Sequence, residues 1–167
     1  MLHWGLIPHW AKDASIGNRM INARAETVAE KPSFKSALKS RRCLIPADGF
    51  YEWSKEGNHK QPYHIRRSDR DLFCFAGLWE HWTDKESGEE IESCTIITTE
   101  ANELLKPIHD RMPVVIPSEA YGQWINNQSI NRLLLPCEWS DFEIVQVSTF
   151  VNNANHDGPK CVEQMEA

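Results

Sequence analysis

The sequence predicts an α+β fold: a curved, barrel-like, mostly antiparallel β-sheet with short helices. Three observations lead there. Aromatic and β-branched runs recur at close spacing, turn residues separate them, and helical periodicity is confined to short segments. The gaps between runs are too tight for repeated βαβ units, whose crossovers need a dozen or more residues. No repeat, low-complexity tract or Gly/Ser linker interrupts the 167 residues, so they read as one domain.

The elements follow in order. Leu2 to Pro8 is a short apolar stretch that ends in a turn, and Asp13 to Asn18 has loop chemistry. After Pro32, the positions of Phe34, Ala37 and Leu38 share one helical face and predict a short helix. Cys43 to Pro46 predicts a strand, with a turn at Asp48-Gly49. Phe50 to Trp53, Tyr63 to Arg66 and Leu72 to Leu78 predict three more, with a polar loop from Lys55 to Gln61 that contains Gly57-Asn58. Ile91 to Thr98 is a β-branched strand, and Thr99 is a candidate cap for a helix running to about Lys106, before Pro107. Met112 to Ile116 predicts a strand. Ser118 is a candidate cap for a helix bearing Tyr121, Trp124 and Ile125, and Asn131 to Leu135 for another short one. Phe142 to Val147 closes the set as a strand.

Composition excludes several classes. Hydrophobic residues are 41% and charged residues 25%, a soluble globular balance. A net charge of −6 excludes a polybasic nucleic-acid binder but leaves room for a local basic groove. No apolar run reaches the roughly 20 residues of a bilayer span, and Met1 to Trp10 lacks the pattern of a signal peptide. The five cysteines are odd in number and show no CxxC spacing, which predicts reduced thiols, a cytoplasmic location and no metal. No dinucleotide fingerprint or phosphate-binding loop occurs, so no cofactor is expected. Seven Trp residues suit a large core or a surface that stacks on bases.

Five segments could carry chemistry, each with a plainer alternative. In Gly49-Phe50-Tyr51-Glu52-Trp53, strand alternation points Glu52 with Phe50; an inward Glu52 would have a raised pKa, an outward one would be ordinary surface. In Ile108-His109-Asp110-Arg111, His109 titrates near neutrality and Arg111 offers a fork for phosphate; alternatively Asp110 and Arg111 form a structural ion pair. Asn22 and Arg24, two apart, would share a face of an extended segment, or Asn22 could cap a helix. Trp4 and Trp10 flank Gly5 and Pro8 and suit either base stacking or core. Lys39-Ser40-Arg41-Arg42 could meet a phosphate backbone or simply end a helix.

Taken together, these segments resemble the SOS response-associated peptidase (SRAP) family, which captures abasic sites in single-stranded DNA. The resemblance rests on Trp4-Gly5-Leu6-Ile7-Pro8, Asn22 to Thr27, Arg42 to Trp53, Phe75 to Trp79, Thr98 to Asn102, Ile108 to Pro113, Val151-Asn152 and Asp157-Gly158-Pro159, in the family's order along nearly the whole chain. It implies a barrel-like antiparallel sheet. It also implies that Glu52 is the acid/base, that His109 assists sugar opening, and that Asn22 orients an N-terminal nucleophile. Arg24 and Arg111 would contact phosphate or the active site, Thr98 would join the DNA contacts, and Trp4 and Pro8 would belong to a DNA-kinking surface. The implied partner is single-stranded DNA with abasic sites.

The family nucleophile is an N-terminal Cys followed by Gly and Arg, which closes a thiazolidine with the abasic aldehyde. Here Met1-Leu2-His3 leads straight into the Trp-Gly-Leu motif, and none of the five cysteines matches. The expectation is therefore an SRAP-type domain over 1–167 that is N-terminally incomplete. Two functions stay open: an abasic-site processing enzyme completed by that segment, and a non-covalent single-stranded-DNA-binding module. Peptidase activity is a third, weaker expectation, because no Ser or Cys is paired by motif with His109.

Overall fold

The computed structural model describes residues 2–56, 59–126, 129–130 and 132–165. Ten strands are assigned among them: β1 (His3–Trp4), β2 (Asn22–Arg24), β3 (Arg42–Ala47), β4 (Phe50–Glu56), β5 (His59–Arg67), β6 (Phe73–Thr83), β7 (Glu90–Glu100), β8 (Arg111–Pro113), β9 (Val115–Ile116) and β10 (Phe142–Gln146). The α-helices are α1 (Pro32–Ser40) and α2 (Tyr121–Ile125), joined by several 3₁₀ turns. The Gly57-Asn58 turn and Asn131 lie outside the described residues. The α+β class and most of the expected strands are present. Among the described residues, no helix is long and apolar enough to cross a membrane.

The chain divides into two compact units. The first holds residues 1–46, 74–100 and 113–136; the second holds 47–73, 101–112 and 137–167. In the first, β1, β7, β6 and β3 are hydrogen-bonded in that order, β2 also pairs with β7, and β9 with β6. β6 and β7 are antiparallel, but β1 and β2 run parallel to β7. Strands of two and three residues carry too little alternation to declare a direction, which is why the sequence did not reveal the parallel pairs. The second unit has its own antiparallel sheet, ordered β10-β5-β4. The strands thus form separate open sheets, with β10 and β4 as edges of the smaller one, and the barrel-like expectation is not met.

The first unit packs α1 and α2 on its sheet. Pro32 starts α1 at a position where a missing N–H costs nothing, and Phe34, Ala37 and Leu38 are buried, as the periodicity predicted. They meet Leu6, Leu78, Ile97, Ile116 and the fully buried Trp124, whose indole N–H donates to the Cys43 carbonyl at 2.8 Å. The two arginines of the basic run at the end of α1 are engaged internally. Arg41 pairs with the buried Glu80 at 2.7 Å, and Arg42 donates to the Leu38 carbonyl and lies 5.2 Å from the Trp124 ring centroid. Those cations stabilise the fold rather than offering a phosphate contact.

The second unit is aromatic. Trp139 stacks on Phe142 at 4.8 Å, and Phe73 and Phe50 approach Phe142 and Trp139 edge-on at 5.0 and 6.0 Å. His64 is buried, packs against Tyr51 with ring centroids 5.1 Å apart and planes tilted by 34°, and sits over Gly49, where a Cβ would come within 2.1 Å of its Nε2. The predicted Asp48-Gly49 turn therefore needs glycine for space.

Two expected helices are absent from the described residues. Thr99 caps no helix: it is buried within β7, which runs on to Glu100. The run Thr95 to Thr99 favours an extended chain, and pairing of β2 with Ile96 to Thr98 sustains it. Asn131 to Leu135, in the part described, forms turns instead of a helix.

Gly5 has φ of 127°, and a Cβ there would lie 2.5 Å from the Gly17 carbonyl oxygen. Gly5→Ala combines backbone strain with a clash and should cost about 2–4 kcal/mol. Gly122→Ala, in α2 with open space around it, should be neutral or stabilising by up to about 1 kcal/mol. Urea unfolding of both variants checks the contrast.

Candidate active site

Within the second unit, β4 presents Glu52 opposite Tyr63 of β5. The carboxyl is half-buried. Burial pushes its pKa up; the charge of His109 and the Trp53 N–H, which donates to the carboxylate, act against this, while Asp110 adds to it. The inward reading of Glu52 is the one the fold adopts. A carboxyl held partly out of water and next to an imidazole is suited to passing a proton in either direction.

His109 is placed by a run of turns between β7 and β8. Asn102 is buried; its side chain accepts from the Leu105 N–H at 3.1 Å and donates to the Cys137 carbonyl at 3.0 Å. The His109 N–H then donates to the Leu105 carbonyl at 3.0 Å. Asn102 thus takes the capping task expected of Thr99. The Arg111 N–H lies 2.9 Å and the Arg111 carbonyl oxygen 3.1 Å from His109 Nδ1, so the backbone of Arg111 fixes this ring nitrogen. Asp110 Oδ1 lies 3.3 Å from Nδ1. Asp110 thus faces His109, an arrangement the expected Asp110–Arg111 pairing did not include.

A cavity of about 760 Å³ opens beside these groups. Trp53, Ser54, Tyr63, Leu104, Pro107, Ile108, His109, Asp110 and Ile144 line it. Sequence reading missed Tyr63, Leu104 and Ile144, whose apolar or aromatic character looks like ordinary strand and turn composition. The motif around Glu52 did contain Trp53, but without a role.

The other predicted residues lie in the first unit. Ala23 is fully buried and flanked by exposed Asn22 and Arg24, so these two share the outer face of β2 as expected. Thr98 is the register partner of Arg24 on β7. Trp4 is 57% exposed, and its indole N–H donates to the Ile21 carbonyl at 2.9 Å, next to Asn22. Trp10 is also exposed. Pro8 is buried, and its carbonyl accepts from the Ala11 N–H at 2.8 Å; it shapes a turn and offers no surface. Glu52, His109 and Arg111 form one group, in the second unit, and Trp4, Asn22, Arg24 and Thr98 another, in the first.

Three of the cysteines are poor nucleophiles in place. Burial pushes the Cys43 thiol up to about 12 and also raises Cys94 and Cys137. Among the described residues, no cluster of His, Cys, Asp and Glu could hold a metal ion.

The Glu52 shift carries a pH signature. Between the ordinary carboxyl value and the raised one, the folded chain keeps a proton that the unfolded chain has released, so stability falls as pH rises through that window. Glu52→Gln removes this cost. Its melting temperature should exceed that of the parent at about pH 7, and the advantage should vanish at about pH 4, near the ordinary carboxyl pKa. Thermal melts across that range check the sign.

The family described as SOS response associated peptidase (SRAP) matches residues 1–154. Abasic site processing protein YoqW of Bacillus subtilis is 48% identical over 97% of this chain and 75% of its own length. Abasic site processing protein HMCES of Gallus gallus is 34% identical over 99% of this chain and 57% of its own. A crystal structure of a protein from Bacteroides thetaiotaomicron superposes with a TM-score of 0.90 at 34% identity, covering 99% of this chain and 76% of that one. The chain belongs to the SRAP family of abasic site processing proteins.

Proposed function

We propose that this chain acts as one SRAP-type domain that recognises abasic sites in single-stranded DNA, with Glu52 and His109 as the acid/base pair that opens the abasic sugar. The observation that carries the reading is the half-buried carboxyl of Glu52, its pKa raised by burial and opposed by His109 in the same unit. Ring opening moves a proton from the C1 hydroxyl and returns one to the ring oxygen. A carboxyl with a raised pKa and an imidazole are groups for that exchange near neutral pH. Arg24 and Trp4, exposed on the first unit, are assigned to phosphate and base contact, with Thr98 beside Arg24. Asn22 is assigned to orienting the nucleophile and Arg111 to the active site.

The covalent step needs an amine and a thiol on one residue. Both add to the aldehyde carbon, one water leaves, and a thiazolidine closes. The family resemblance assigns this to an N-terminal Cys, and no numbered cysteine is assigned to it. The raised thiols of Cys43, Cys94 and Cys137 favour a second reading for the 167 residues by themselves, that of a non-covalent single-stranded-DNA-binding module.

One experiment separates these readings: incubation with a single-stranded oligonucleotide carrying one abasic site, followed by a denaturing gel. The 167-residue polypeptide should bind in a salt-sensitive way without a heat-stable shift; such a shift would place the nucleophile among the numbered residues and contradict the assignment. In a polypeptide that carries the N-terminal Cys, Glu52→Gln and His109→Ala should each slow crosslinking about 10²–10⁴-fold. Arg24→Ala combined with Trp4→Ala should abolish single-strand affinity. Unchanged binding by that pair would remove the proposed contact surface.

A further inference from the structure

The aromatic wall of the cavity is held by a residue far away in sequence. The Trp53 indole N–H donates to Asn152 Oδ1 at 2.7 Å, a short bond for a neutral pair. The Asn152 side-chain amide also lies 3.4 Å from the Lys60 carbonyl. One side chain thus ties the indole on β4 to the backbone of β5. Asn152 closes the 3₁₀ turn Thr149–Asn152, which is itself held through Phe150. Ser148 accepts from the Phe150 N–H at 3.2 Å, and His156 stacks on Phe150 at 3.9 Å with its Nδ1 2.7 Å from the Phe150 carbonyl. A turn braced this heavily, ending in an exposed Asn whose acceptor is spent on an indole, is more than the packing of a loop requires.

We propose that Asn152 is a positioning residue for DNA binding: through its side-chain oxygen it sets the angle of the Trp53 indole, and so the aromatic wall against which a nucleotide ring beside the abasic sugar can lie. The proposal rests on the reading of the cavity as part of an abasic-DNA site. An indole has two side-chain torsions, and without a partner for its N–H it can rotate. Fixing it before the ligand arrives removes that ordering cost from binding. The part that matters is the acceptor. Aspartate keeps it and leucine does not.

The test has two arms on the full chain. In the free protein, the Trp53 indole N–H resonance is assigned by its loss in Trp53→Phe. It should shift upfield in Asn152→Leu and stay hydrogen-bonded in Asn152→Asp. An unmoved resonance in Asn152→Leu overturns the positioning role whether or not the protein binds DNA. The second arm is a double-mutant cycle on the affinity for a single-stranded oligonucleotide with one abasic site. Asn152→Leu, which changes no charge, should weaken binding about 5-fold, the worth of one neutral hydrogen bond. In the Trp53→Phe background, which has no indole N–H, it should change nothing further. Additive effects would mean that Asn152 acts elsewhere and would overturn the proposal. A parent chain that does not bind the oligonucleotide would instead overturn the DNA reading, with the resonance still deciding the position of the indole.

Discussion

The register between β4 and β5 is the constraint on which the second unit depends. Phe50 pairs with Ile65, Tyr51 with His64 and Glu52 with Tyr63. A slip of one residue would turn Glu52 to the other face of the sheet and carry Trp53 with it. Two features hold the register. The buried His64 packs against Tyr51 and fills the space that Gly49 leaves empty, so no neighbouring residue substitutes for that glycine. The aromatic cluster of Phe50, Phe73, Trp139 and Phe142 then fixes the same strands from the core side. The half-buried carboxyl is a consequence of this packing, since an edge strand alone would leave Glu52 in water.

His109 is set by different means. No strand carries it; a chain of backbone bonds does, beginning at the buried side chain of Asn102 and ending at the Arg111 N–H. Backbone groups hold an imidazole nitrogen with less freedom than another side chain could. The backbone N–H and carbonyl of Arg111 both lie within hydrogen-bond distance of Nδ1 and set the orientation of the ring. Asp110 Oδ1 lies 3.3 Å from the same nitrogen, so a carboxylate and a backbone amide meet at one edge of the ring.

Much of this was legible in the sequence because the signals were local. Pro32 with Phe34, Ala37 and Leu38 announced α1 and the β-branched run announced β7, while the position of Glu52 between aromatics left an inward and an outward reading open, of which the fold takes the half-buried one. Alternation around Ala23 correctly put Asn22 and Arg24 on one face. What stayed hidden depends on partners distant in sequence. The parallel pairing of β1 and β2 with β7 is set by tertiary contact in strands too short to show a period. The commitment of Arg41 to Glu80, 39 residues on, takes a cation from a run that reads as surface. Pro8 looked like part of an exposed motif and is buried. The bond between Trp53 and Asn152 spans 99 residues and leaves no trace in either local pattern.

The central claim is that burial raises the proton affinity of Glu52 and that His109 moderates it. A carbon-detected NMR titration of the Glu52 carboxyl tests it most directly, in the parent chain and in His109→Ala. The expected midpoint lies above the ordinary carboxylate value in the parent and higher still when the imidazole is removed. A midpoint at or below the ordinary value, or one that His109→Ala leaves in place, would contradict it.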